Sequence, residues 1–423
     1  MPGGARRTGR GRGVTLRSAP ARPAPVRPAG APARFAADEA WGRRAARMLR
    51  PFADVRSGPT PAERARISRA LMSGDPAADA LLEAISRGDT SMSRLREALD
   101  EAIAGRPLPA DEPEEVHAFV RSVTDLPDWL DPDLADRGAR VCLRAGLTGQ
   151  DVLGDLALLG GYRPSATTEV LTSTGRLTGE GTSRRIAETM AWWHAVAAPG
   201  GWRPGSRGWE MTVHVRLMHA RVNRAMLDKG WDTAAKGMPI NQGDMAATNG
   251  LFSATFLLGT LVLGIPHSPR DARAVMHLWR WVGLVMGVDE DFLHERPRRA
   301  LRDMYHFLRI SPPPDDNSVV LAESLLESYG MTGFPRLATL RRQLDVARHR
   351  AIATYLNGLA GMRELGQQPA VPWYPAVIIP ANALAHGAAA VSPRVRWALE
   401  RRGDRRIRRQ IARYSRGTVQ PIA

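Results

Sequence analysis

Residues 209–228 read Trp-Glu-Met-Thr-Val-His-Val-Arg-Leu-Met-His-Ala-Arg-Val-Asn-Arg-Ala-Met-Leu-Asp. Met211, Val215, Met218, Val222, Ala225 and Met226 fall at i, i+4, i+7, i+11, i+14 and i+15, the spacing of one apolar stripe on an α-helix. Two histidines, His214 and His219, flank the stripe. Five residues apart, they are separated by about 140° around the helix. Both cannot face one metal from the same side, and periodicity does not choose between them. The methionines suit an ordinary core and equally a large flat cofactor. No His-Glu-x-x-His motif is present, so a mononuclear zinc site has no support.

The helical pattern extends in both directions. Ala40, Ala45, Met48 and Leu49 recur at helical spacing, and Thr60-Pro61 is a helix-start signature. No hairpin signal occurs: Asn249-Gly250 lies between helical segments. The chain therefore reads as all-α. Residues 311–317 (Ser-Pro-Pro-Pro-Asp-Asp-Asn) form a break, expected to be a connection inside one helical domain spanning 37–391. Ser392-Pro393 opens a basic C-terminal segment, 392–423. Val395, Leu399, Ile407 and Ile411 lie near one side of its helix. That face is expected to dock on the body with the arginines in solvent, in preference to contact with an anionic membrane surface.

Composition narrows the function classes. The hydrophobic share of 43% over 423 residues supports a large core, and 11 tryptophans fit a bulky buried pocket. The single cysteine, Cys142, excludes an intramolecular disulfide and any cysteine-built metal site. The net charge of +16 sits at the two ends. Residues 1–36 hold eight arginines and no acid, and 394–416 hold ten arginines against Glu400 and Asp404. The region between has no net charge, so the body is not expected to bind nucleic acid. The Arg/Pro/Ala-rich residues 1–36 are expected to be disordered. The apolar run Leu251–Ile265 is shorter than the ~20 residues a bilayer needs and reads as a buried core helix, with no integral membrane span. Arginines interrupt the N-terminus, so on this start site a cytoplasmic protein is expected; an upstream start encoding a signal would make it secreted.

A second constellation precedes the His219 helix. Gly160-Gly161-Tyr162-Arg163-Pro164-Ser165 reads as a loop, followed by Glu169. Beyond Gly181-Thr182-Ser183, a helical run carries Arg184, Arg185, Glu188, Thr189, Trp192, Trp193 and His194. Arg185, Glu188 and Thr189 share a face by the i, i+3, i+4 rule, and the two tryptophans call for partial burial.

Taken in order, Glu169, Arg185-Ile-Ala-Glu188-Thr189, Arg216-Leu-Met-His219 and Met238-Pro-Ile-Asn241-Gln242-Gly-Asp244 resemble the catalytic domain of the latex clearing proteins. Those are rubber oxygenases within the wider MpaB-type family, and the likeness covers roughly residues 140–310. The resemblance implies a globin-like helical core enlarged by additional helices, with haem b between them. It implies His219 as the iron ligand, with Met218, Val222 and Arg185 against the cofactor. It further implies Arg185 and Thr189 as distal polar residues and Glu169 as catalytic base, desolvated enough for proton abstraction. The position of Glu188 is typically a lysine able to cap the iron. A glutamate supplies no neutral nitrogen, so either the iron's distal side is open or water-ligated, or Glu188 turns away to pair with Arg184 or Arg185.

The reaction implied is cleavage of a carbon–carbon double bond by molecular oxygen to carbonyl products. The substrate would be polyisoprene or a smaller isoprenoid or other apolar alkene. A haem-binding sensor or carrier without turnover is the alternative; a scaffold with anion-binding arginine tails is a third reading. Oligomeric state is not legible.

Overall fold

Local capping sets where the helices begin. Thr60 accepts from the Glu63 backbone while Glu63 accepts from the Thr60 N–H, a reciprocal cap ahead of Pro61–Leu71. Asp131, Ser268 and Ser392 cap the helices Pro132–Asp151, Pro269–Val285 and Pro393–Tyr414, each with proline in the first turn. The structure, a computed structural model, describes residues 28–55, 58–165, 167–173, 180–330 and 338–415. These residues form helices joined by turns and loops, with no strand among them.

Pro132–Asp151 is the spine. Pro269–Val285 and Pro393–Tyr414 both pack along it, and Glu180–Ala197 packs against Pro393–Tyr414 and Arg207–Asp228. Two glycines permit the close crossings. A Cβ at Gly138 would strike the Ala274 carbonyl, and one at Gly403 the Leu143 carbonyl oxygen. The main core draws residues from both sides of the 311–317 break, from Ala46 through Trp193 and Trp279 to Tyr414. That break joins Pro297–Ile310 to Asp316–Gly330.

The C-terminal helix is part of this core. Of the four apolar residues expected on its docking face, Ile407 and Ile411 are buried, together with Gly403 and Tyr414, while Val395 and Leu399 are only half-buried. The Arg144–Glu400 ion pair (3.5 Å) and a hydrogen bond between His194 and Asp404 (2.8 Å) hold it.

Two expectations need correction. Residues 28–36, assigned to a disordered tail, pack on the body: Phe35 and Ala31 are buried, and Ala33 and Arg34 N–H donate to Ala234 and Ala235 carbonyls. Phe35 supplies the apolar surface that the rest of that segment lacks, joining a cluster with Ile67, Leu71 and Phe307. Residues 1–27 lie outside the described residues.

The buried face of Arg207–Asp228 is not the methionine stripe. It is Trp209, Thr212, Val213, Val215, Arg216, Leu217, Ala220 and Asn223; of the stripe only Val215 is buried, Met211, Met218, Val222 and Met226 are half-buried and Ala225 is exposed. Polar side chains take the buried face because each is satisfied there. Arg216 donates to both oxygens of Asp75 at 2.6 and 2.9 Å, Thr212 accepts from Trp192 Nε1, and Asn223 pairs with the Ile240 backbone.

Among the described residues, two helices are long and apolar enough to cross a bilayer. Gln242–Val262 is 56% buried and serves as a core helix, as expected. Trp373–Val391 is only 17% buried; Pro375, Pro380, Asn382 and His386 interrupt its run and hide it from a search for continuous apolar sequence.

Candidate active site

Two stretches of π-helix, Val152–Leu158 and Leu251–Thr255, pack against each other at the centre of the fold. Such segments widen a helix by one residue per turn and recur at functional sites. Here they supply Leu153, Leu158, Leu251 and Phe252 to an internal cavity of about 380 Å3. That volume falls in the range of small-molecule and cofactor sites, roughly 300–1,000 Å3.

His219 faces this cavity, with Val215 one turn before it. The cavity meets their helix over a single turn, so Met218 and Val222 are not among the lining residues, contrary to expectation, and neither is His214. His219 is half-buried among the residues that line the cavity. Burial, reinforced by the Arg185 charge and opposed by Asp75, pushes its pKa down to about 4. The imidazole is therefore neutral at pH 7, as a metal ligand must be. Its Nδ1 is buried, with no hydrogen-bond partner among the described residues. A buried ring nitrogen left unpaired costs free energy unless something fills that role.

Arg185 and Thr189 line the cavity from Glu180–Ala197, a helix that runs through the Gly181-Thr182-Ser183 sequence instead of starting after it. Thr189 Oγ1 donates to the Arg185 carbonyl at 3.1 Å. Glu188 is not among the lining residues. It lies 3.2 Å from Arg184 Nε and 3.5 Å from Arg185 Nη1, the turned-away arrangement the sequence allowed. Trp192, Phe252 and Trp279 form an aromatic wall, Phe252 stacked on Trp279 at 5.1 Å and Trp192 edge-on to both.

Glu169 departs from the expectation of a desolvated carboxylate. Its side chain is 44% exposed, and Oε1 accepts from Lys236 Nζ at 2.7 Å. Thr167, Val170 and Leu171 face the cavity at i, i+3 and i+4. In the short helix Thr168–Ser173 that spacing turns Glu169 outward.

The Pro239-Ile-Asn-Gln242 element holds the cavity wall in place. Asn241 caps Gln242–Gly250 by accepting from the Asp244 N–H. Gln242 donates to the Gly74 and Gly287 carbonyls and accepts from the Asp289 N–H, tying three loops together. Pro239, Ile240 and Asp244 line the cavity as a result.

A polar end escapes the sequence reading. Gln150, Tyr329, His349, Gln410 and Tyr414 line it. Behind them Tyr329 donates to Asp155 (2.9 Å), His349 Nδ1 lies 2.7 Å from Asp155, and Arg348 bridges Asp151 (2.7 Å) and His349 Nε2 (2.7 Å). Asp151, Asp155 and His349 have metal-ligand proximity. The Arg348 guanidinium already supplies the positive charge and engages two of the three. Burial holds His349 neutral, its pKa pushed down to about 3, and pushes both aspartates up. One signal could have exposed this cluster: Asp155 is a lone acid in the apolar run Val152–Leu158 and needs a distant partner.

The sequence profile of the family described as "ER-bound oxygenase mpaB/B'/Rubber oxygenase, catalytic domain" matches residues 143–392. The chain belongs to this family. The rubber oxygenase of Streptomyces sp. (strain K30) is 24% identical over 223 residues, 52% of this chain. The match spans 50% of that relative's length. A solved structure of latex clearing protein in the closed state superposes with a TM-score of 0.56 at 20% identity, covering 84% of this chain and 93% of that chain. That likeness establishes the helical fold.

Proposed function

We propose that this member of the rubber oxygenase family is a haem b-dependent oxygenase that cleaves a carbon–carbon double bond of an apolar alkene. The observation that carries the reading is His219: a neutral imidazole whose buried Nδ1 has no partner among the described residues, facing a mostly apolar cavity. These residues fit the cofactor. His219 would hold the iron, and Val215, Leu153 and the aromatic wall would pack on the ring. When bound, haem b supplies an iron centre able to activate molecular oxygen.

The chain's own residues do the rest. Arg185 brings a positive charge and hydrogen-bond donors to the cavity, and Thr189 brings a hydroxyl that can exchange its backbone bond for a ligand. The tryptophan wall excludes water from the apolar reactant. A second cavity, about 260 Å3, shares Gly161, Thr167, Asp244, Thr248 and Leu251 with the first. Met48, Phe52, Leu258 and Met304 give it an apolar lining suited to the remainder of an isoprenoid chain. In the overall reaction both oxygen atoms of one O2 end in two carbonyl groups and the double bond is lost. Glu169 would accept the allylic proton after turning from Lys236 toward the cavity, and would return it before product release, because the two carbonyl products keep every hydrogen of the alkene.

The exposed Glu169–Lys236 pair favours a second reading, haem binding without turnover. Oxygen uptake and carbonyl formation with a soluble polyene, measured on haem-loaded protein, separate the two. Turnover that falls at least tenfold in Glu169→Gln supports the oxygenase. Haem binding with no oxygen uptake supports the carrier or sensor.

A further inference from the structure

The helix Trp373–Val391 carries no Asp, Glu, Lys or Arg. Trp373, Val377, Pro380, Leu384, Gly387 and Val391 are exposed at i, i+4, i+7, i+11, i+14 and i+18, one continuous side of the helix. Val377, Leu384 and Val391 keep 60, 77 and 85% of their surface accessible. The opposite side is fixed to the body. Pro375, His386 and Ala389 are buried, and Asn382 Nδ2 donates to the Leu263 carbonyl at 2.8 Å. The stripe therefore cannot rotate inward. It is about 28 Å long at ~1.5 Å per residue, an apolar run of a size that marks an interaction surface.

The adjoining helix supplies charge. Pro393–Tyr414 packs beside the stripe and holds nine arginines against two acids, Glu400 and Asp404. Those acids serve the body through Arg144 and His194. Arg396 donates to the Ala389 and Ala390 carbonyls and locks the two helices together. Trp397 is 58% exposed, with Arg401 stacked 4.5 Å above its ring. Exposed Arg402, Arg405 and Arg409 pair with no acid among the described residues.

We propose that the Trp373–Val391 stripe and the arginines of Pro393–Tyr414 dock this chain on an anionic phospholipid bilayer, the apolar helix lying in the plane of the interface. An uncharged stripe ending in tryptophan, bordered by arginines, matches the acyl boundary and the headgroup layer respectively. The bonds of Asn382 and the burial of His386 oppose insertion across the bilayer. A second copy is a poor occupant, because a two-fold contact through this face would bring two arginine arrays together.

The test is co-sedimentation of the full chain with phosphatidylcholine vesicles and with mixed phosphatidylcholine–phosphatidylglycerol vesicles. The expected result is partitioning about tenfold stronger on the anionic vesicles, weakened by salt. Val377→Asp with Leu384→Asp should lower it about tenfold on the same vesicles while circular dichroism stays unchanged. Arg402→Ser with Arg405→Ser and Arg409→Ser should remove the preference for anionic lipid. Equal partitioning on both vesicle types would overturn the proposal. So would undiminished binding by the aspartate variant, which would assign it to the arginine-rich residues 1–36. A solution dimer dissolved by Leu384→Asp would overturn it in favour of self-association.

Discussion

Lys236 Nζ lies 2.7 Å from Glu169 Oε1, on the outer side of a short helix whose other face lines the His219 cavity. The pairing holds the carboxylate where a proton acceptor is not needed. If Glu169 acts by swinging inward, Lys236 is a brake. Lys236→Gln should raise turnover severalfold while Glu169→Gln lowers it by about 10²-fold or more. Both changes are half-exposed, so melting temperatures should move by no more than about 2 °C. Carbonyl product formed per minute at saturating alkene measures the difference.

Arg216 places the His219 helix through two hydrogen bonds to Asp75, with a third to Ser122 Oγ at 3.0 Å. Both partners are buried, at 5 and 8% side-chain exposure. Asp75→Ala leaves a buried guanidinium without its carboxylate and should cost about 3–5 kcal/mol in urea unfolding. Haem affinity should fall with it, since His219 sits one turn beyond Arg216.

Asp79 stands beside Asp75, and burial together with that neighbouring charge pushes its pKa up to about 6. A carboxylate raised in the folded state favours folding while protonated, so this contribution is present below the unfolded value of 3.8 and is lost as pH rises through about 6. Asp79→Asn should therefore be more stable than the parent chain at pH 7.5 and no more stable at pH 4. Urea midpoints at the two pH values decide it.

Gly403 lets the C-terminal helix cross Pro132–Asp151 against the Leu143 carbonyl. Gly403→Ala forces the helices apart and should cost about 1–3 kcal/mol. Gln410 and Tyr414 ride on the same helix and line the cavity. A drop in haem affinity should accompany the lower denaturant midpoint.

Glu188 sits between Arg184 and Arg185 because opposite charge holds it there. Glu188→Lys reverses that attraction and drives the side chain away from both arginines. In the haem-loaded protein the ferric absorption spectrum should shift as an amine reaches the iron. An unchanged spectrum would show that the backbone, not the charge, directs this position away from the cavity.

Much of this was legible in sequence because it is local. Helix starts at Thr60 and Ser392 follow from capping within four residues, and the Arg-Leu-Met-His and Pro-Ile-Asn-Gln elements announced the family. The facing of side chains was less legible. Periodicity marked one apolar stripe, but only Val215 of it is buried, while Arg216, Thr212 and Asn223 took buried positions through partners between 17 and 141 residues away. Glu169 was assigned by its order in the motif, and the turn of a six-residue helix placed it outward. The polar end joins Asp155 to Tyr329 and His349, 174 and 194 residues on, a juxtaposition that only the folded chain reveals.

On the proposed function, His219 holds haem in the cavity between Glu180–Ala197 and Arg207–Asp228. Titration of the purified full chain with hemin, followed by absorption spectroscopy, tests it directly. The expected result is a Soret band that saturates at one haem per chain, with affinity at least about 10²-fold weaker in His219→Ala. A folded chain that stays colourless, or a His219→Ala variant with the parent's spectrum and affinity, would contradict it.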